Sequence, residues 1–134
     1  MLRTSLVLAL LVTAASPVSA DPPASTDKAP AHQTRCFFSS EFDGWKAADD
    51  KTLYIKVRSN RYYRLDLAGS CPRLTWPGAF LITKIHGSST MCTALDWDLH
   101  VATDWHDIPE PCIVKTMTEL TPEEAAALPA KVKP

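Results

Sequence analysis

Between Thr52 and Cys71 the chain reads T-L-Y-I-K-V-R-S-N-R-Y-Y-R-L-D-L-A-G-S-C, with apolar and polar side chains alternating along two successive runs. Leu53, Ile55 and Val57 alternate with Tyr54, Lys56 and Arg58; beyond Ser59 and Asn60, Tyr63, Leu65 and Leu67 alternate with Tyr62, Arg64 and Asp66. A period of two gives one apolar and one wet face, which predicts two half-buried antiparallel strands joined by a short turn. Two strands alone are marginal in water, so the remaining chain must cover their apolar face.

The first twenty residues carry the three parts of a secretory leader. Arg3 is the positive start, Leu6 to Ala15 the apolar run, and Ser16-Pro17-Val18-Ser19-Ala20 a small-residue cleavage region, with the cut expected after Ala20. The apolar run is half the ~20 residues a membrane-spanning helix requires, so no transmembrane anchor is expected after cleavage. The expected compartment is therefore exported, periplasmic or secreted. Residues 21–35, with three prolines and no large apolar side chain, read as a flexible linker, and His32 within it has no converging ligands. Residues 36–134 read as one β-rich domain. Charge is nearly balanced, 14 Lys and Arg against 15 Asp and Glu, which argues against a nucleic-acid partner.

Cys36, Cys71, Cys92 and Cys112 all lie in that domain, with no C-x-x-C spacing. In an oxidising compartment they predict two disulfides rather than a zinc or redox motif. Three pairings are open, and Cys36–Cys112 with Cys71–Cys92 is the preferred one.

Along the chain, Cys36-Phe37-Phe38 begins the fold, Asp43-Gly44 is a turn signal, and Asp49-Asp50-Lys51 is a polar turn into the hairpin. Further strands are expected at Ala79 to Ile85, Thr90 to Leu95, Leu99 to Thr103 and Cys112 to Met117, with Pro109 and Pro111 breaking the connection before the last. Thr121, Pro122 and Glu124 form a capping box that opens a short helix ending before Pro129, with Leu120 and Leu128 packing it and Lys131 to Pro134 a solvated tail. The expected fold is mostly β: a small curled antiparallel sheet or barrel of about six strands with a short C-terminal helix and two disulfides.

Three constellations are candidates for function. Tyr54, Tyr62 and Arg64, beside Lys56 and Arg58, form an aromatic-basic patch on the wet face of the hairpin, where side chains with large apolar area and polar handles favour binding; ordinary cross-strand pairing explains the same residues. Asp96, Asp98 and His100 would share one face of a strand, with His106, Asp104 and Asp107 nearby, a donor set suited to a divalent metal or to a solvated edge strand. Asp43, Asp49 and Asp50 lack the calcium-loop pattern. Serine chemistry finds no G-x-S-x-G elbow, and His86 with Ser88, Ser89 and Asp66 is a combination that chance supplies. No catalytic residue is assigned; Asp96 and Asp98 as paired carboxylates of a small hydrolase are the weakest of these readings.

Cys36 before an aromatic pair, D-D-K-T-L-Y-I at Asp49 to Ile55, R-Y-Y-R-L-D-L followed by Cys71-Pro72, then Cys92, Cys112 and the closing L-T-P-E-E-A-A-A-L together resemble an uncharacterised family of small exported bacterial proteins. The resemblance covers Cys36 to Pro134 and implies export, four cysteines and a single domain. It implies no catalytic residues. The function expected is a non-enzymatic exported binding module whose partner is a protein or cell-envelope component. Its alternatives are an inhibitor of a secreted hydrolase and a metal-binding protein using Asp96 to Asp107. No cofactor is expected, a divalent metal being the exception under the metal reading.

Overall fold

The alternating stretch forms the expected hairpin, and the hairpin lies inside the largest sheet. The computed structural model describes residues 34–58, 60–85 and 87–134; the leader, most of the linker with His32, and His86 lie outside the described residues. Strands β1 (Phe37–Phe38), β2 (Phe42–Ala47), β3 (Thr52–Val57), β4 (Arg61–Leu67), β5 (Phe80–Lys84), β6 (Thr90–Met91), β7 (Asp98–Ala102), β8 (Glu110–Pro111) and β9 (Val114–Glu119) precede one helix, α1 (Pro122–Ala127). They form three antiparallel sheets, β2-β3-β4-β9, β5-β7-β8 and β1-β6, which do not close into a barrel.

The mostly-β expectation holds, with more and shorter strands among the described residues than the six anticipated. Leu53, Ile55, Val57, Tyr63 and Leu65 are fully buried, as the period of two requires, and the register sets Leu53 opposite Leu65 and Ile55 opposite Tyr63. Val114 and Met117 of β9 extend the hairpin's apolar face, and Leu99 and Val101 of β7, with Met91 and Leu74, belong to the same core. The hairpin turn puts Arg58 in the left-handed region at φ 54°, where a side chain costs backbone strain. Glu41 holds it there: its carboxylate accepts from Arg58 Nε at 2.7 Å and its carbonyl from Arg58 N at 2.9 Å.

Several expectations are corrected. The disulfides are Cys36–Cys92 and Cys71–Cys112, with Cα separations of 4.2 and 5.8 Å, not Cys36–Cys112 and Cys71–Cys92. The reason is β1, which pairs with β6 (Phe37 opposite Met91) and so carries Cys36 to Cys92. Cys112 N donates to Leu99 O at 2.8 Å, which sets Cys112 against β7 and within reach of Cys71. Asp43-Gly44 is not a turn but a bulge within β2, where the register shifts between Phe42 and Gly44 and Asp43 pairs with Lys56 at 2.9 Å. The strand expected at Thr90 to Leu95 stops after Met91, because Thr93 and Asp96 cap a 3₁₀ turn over Ala94–Asp96. Proline is accommodated in β8 because that two-residue strand is an edge.

The helix cap forms as the residues predict: Glu124 N donates to Thr121 Oγ1 at 3.2 Å and Thr121 N to Glu124 Oε2 at 2.7 Å. The tail is not solvated. Val132 and Ala125 are each buried outside the main core cluster, Lys133 Nζ sits 5.6 Å from the Tyr62 ring centroid, and Pro134 lies beside Gly44. The C-terminus therefore runs over the outer face of the four-stranded sheet.

The expected linker yields to ordered chain before Cys36. Thr34 Oγ1 donates to Met117 O at 3.2 Å, and Arg35 engages Glu119 through its backbone N at 3.1 Å and its Nη2 at 2.7 Å. Arg61 Nε reaches the same carboxylate at 3.1 Å. Burial pushes the Glu119 carboxyl up, but the hydrogen bonds and charges of Arg35 and Arg61 outweigh it and hold the group below its ordinary range. Beside it the buried Tyr63 hydroxyl donates to Arg35 O at 2.8 Å, and burial with the Glu119 charge pushes it up to about 12.

A carboxyl with a lowered folded pKa stabilises the protein above its unfolded pKa, and that stabilisation is lost as pH falls through the folded value. Glu119→Gln should cost about 1.5–3 kcal/mol near neutrality, the range for hydrogen bonds to charged groups. In denaturant titrations the gap between the two proteins should narrow as pH falls below 4.5. A gap that does not change with pH would show that Glu119 acts by shape alone.

Candidate functional site

The two large sheets each end in an open edge strand, β2 on one and β5 on the other. The edges border a common seam. Toward one end, Phe42 of β2 faces Leu81, Thr83 and Ile85 across a cleft of about 340 Å³, which Phe37, Ser39, Ser40, Met91 and Trp97 complete. Toward the other end, Trp45, Lys46 and Ala47 of β2 face Gly78 and Ala79 just before β5. The start of β2 thus matches the end of β5, and the two edges run antiparallel to one another.

Hydrogen-bond alternation shows which backbone groups the seam exposes. In an antiparallel ladder, residues turn their N–H and C=O groups alternately toward and away from the neighbouring strand. Ala48 N donates to Thr52 O at 2.8 Å, which sets the β2–β3 phase and turns Trp45 and Ala47 outward. Leu99 O accepts from Cys112 N, so Leu99 faces away from β5 and its partner Thr83 turns its own groups to the open side, as does Leu81. Among the described residues, these four have no backbone partner across the seam.

The side chains at the seam point inward. Trp45 and Ala47 lie opposite Ile55 and Leu53; Leu81 and Thr83 lie opposite Val101 and Leu99. Trp45, Ala47, Ala79, Leu81 and Trp97 pack partly buried against the core, while Phe42 and Ile85 remain 36% and 45% exposed. Phe37 is the wall at one end, tilted against Tyr63 at 5.0 Å and Trp97 at 6.3 Å between centroids. Trp97 is fixed in turn by its Nε1, which donates to Met117 Sδ at 3.3 Å. No lining side chain of the cleft titrates, so it offers shape, apolar surface and backbone polarity.

The residues singled out in the sequence lie elsewhere. Tyr54, Tyr62 and Arg64 do share the outer face of the hairpin, with Tyr54 directly opposite Arg64 and Lys56 opposite Tyr62. Arg64 Nη2 is 2.8 Å from Asp66 Oδ1, Lys56 is held by Asp43, and Lys133 overlies Tyr62.

The acidic and histidine residues are dispersed. The Asp96 carboxylate leaves the strand face and accepts from Cys92 N and Thr93 N at 2.8 and 2.7 Å, bonds that lower its pKa. Asp98 and His100 remain together on β7, 3.4 Å apart between Oδ1 and Nδ1. His106 pairs with Asp104 at 2.9 Å on an exposed loop, and Thr103 Oγ1 donates to Asp107 at 3.0 Å. Among the described residues, three metal-type donors converge only at Cys71, Glu110 and Cys112, and there the two sulfurs are bonded to each other. The seam had no signature in the sequence beyond the β-forming run F-L-I-T-K, because the facing of two edges is a non-local property.

A family model described as a family of unknown function (DUF6491) matches residues 1–133, and the chain belongs to that family. No curated protein and no solved structure matches it.

If the seam is open, the amides of Trp45, Ala47, Leu81 and Thr83 should exchange with solvent far faster than those of Leu53, Ile55 and Val57, which point into the β3–β4 ladder. Residue-resolved hydrogen exchange measures this, and equal protection in the two sets would mean that the edges are covered.

Proposed function

We propose that this protein is an exported, non-enzymatic binding module that holds a protein partner in the cleft between β2 and β5. The carrying observation is the cleft itself, with a wall of Phe37, Phe42, Leu81, Ile85, Met91 and Trp97 and hydroxyls from Ser39, Ser40 and Thr83 at its margin. Apolar concavity with a few polar groups is the chemistry of recognition. The absence of a titratable side chain from the lining favours binding over hydrolysis, since acid–base catalysis needs a proton donor or acceptor at the reacting atom.

Export is supported by the leader-like first twenty residues and by the pairing of all four cysteines, which suits an oxidising compartment. Among the described residues, no helix is long and apolar enough to cross a membrane. Placing the site in the cleft rather than on the hairpin's outer face follows from the ion pairs of Arg64 and Lys56 and from the C-terminal tail over Tyr62, which leave less of that patch for a partner.

The test is capture from an envelope extract by immobilised protein. Ile85→Asp and Phe42→Ser, both at partly exposed positions, should lower capture of the principal partner at least tenfold, as loss of a central apolar anchor does. Tyr62→Ala should leave capture within twofold. The reverse pattern would move the site to the aromatic-basic face.

A further inference from the structure

We propose that the seam is a strand-acceptor site, filled by an extended segment of a protein partner that alternates apolar and acidic residues. The inference rests on the binding-module reading and adds the mode and the partner's chemistry. It stands on three observations that a rounded apolar ligand would not satisfy together.

First, both borders of the seam are edge strands, and each turns unpaired N–H and C=O groups toward it: Trp45 and Ala47 from β2, Leu81 and Thr83 from β5. An extended backbone supplies donors and acceptors to both edges, as in strand addition at sheet edges. Because β2 and β5 run antiparallel to one another, the incoming strand lies antiparallel to one and parallel to the other. Second, the inner surface beneath the seam is apolar. Alternate side chains of the inserted segment would meet Trp45, Leu81 and Trp97, which are only partly buried against the core. Third, an exposed lysine stands on the outer surface near each end of the seam. Lys46 on β2 and Lys84 on β5 are exposed, and neither has an ion-pair partner among the described residues. Asp98 faces Lys84 across the ladder and lies against His100. Outward residues near one end of the inserted strand would lie beside Lys46 and those near the other end beside Lys84, so a carboxylate at either end gains from one lysine.

The test is selection of peptides from a displayed random heptamer library on the oxidised protein, followed by synthesis of the winners. The expected winners alternate apolar with acidic or neutral polar residues, and their binding is lost with Ile85→Asp and with Phe42→Ser. On binding, the amides of Trp45, Ala47, Leu81 and Thr83 should become at least tenfold more protected. N-methylation of alternate backbone nitrogens should weaken the peptide at least tenfold without changing its side chains. Lys46→Glu with Lys84→Glu should reverse the preference for acidic peptides. Peptides that compete for the cleft but tolerate N-methylation and leave the four amides unprotected would overturn strand insertion while leaving the binding reading intact. A library that yields no peptide sensitive to either cleft substitution would overturn both. Winners rich in Lys and Arg would overturn the assigned partner chemistry.

Discussion

The carboxylate of Glu119 is the point on which the architecture of the cleft depends. It is a nearly buried charge at the end of β9, and it is kept ionised by two guanidinium groups that arrive from different parts of the chain, Arg35 and Arg61. A buried charge lacking one partner is strongly destabilising, so the pairing demands that the N-terminal arm lie along β9. Once Arg35 is placed there, Cys36 follows at a fixed position, the bridge to Cys92 brings β1 to β6, and Phe37 is set against Tyr63 and Trp97. Phe37 and Met91 are the wall at one end of the cleft. An ion pair at the end of β9 thus positions one apolar wall of the cleft.

An open sheet edge is a hazard, because unpaired backbone groups template aggregation, and proteins normally blunt or cover their edges. This protein has two that face one another and do not join. A bulge interrupts β2 at Asp43 near its start, and Phe37 and Met91 of the two-residue β1–β6 pair line the cleft at the same end. At the other end the chain before β5 turns through Trp76, Pro77 and Gly78, with Gly78 at φ 81°, a conformation that favours glycine. Lys46 and Lys84, exposed on the outer faces of the two edge strands, are charges of the kind that discourage edge-to-edge aggregation.

The parts of this fold legible in the sequence are those whose determinants are local. The hairpin could be read because each inward residue from Leu53 to Leu67 reports its own burial, and α1 because Thr121 and Glu124 satisfy one another's backbone N–H groups within a single turn. The Cys36–Cys92 and Cys71–Cys112 pairing was not legible, since it follows from β1 crossing to a two-residue strand that leaves almost no pattern. Asp96 misled for a related reason. Its alternation with Asp98 and His100 is genuine, but Thr93 recruits it into a 3₁₀ cap, a local competition that periodicity ignores. Tyr54 and Arg64 were correctly set on one face, whereas the tail that crosses that face depends on Lys133 meeting Tyr62, far earlier in the chain.

The covalent frame bears on how the cleft can work. Cys36–Cys92 ties β1 to β6 at one wall, and Cys71–Cys112 ties the turn after β4 to the chain between β8 and β9. Neither bridge joins β2 to β5. Each border of the seam is therefore anchored to its own sheet by strand pairing alone. A frame stapled everywhere except across its seam suits an acceptor that must remain folded while empty. The core beneath the seam is already complete enough to bury Leu99 and Val101, so an incoming strand adds to a stable structure instead of rescuing an unstable one. Binding in that regime gains its free energy from backbone pairing and from covering Trp45, Leu81 and Trp97, and little of it is offset by ordering the acceptor, which is the advantage of a preorganised site.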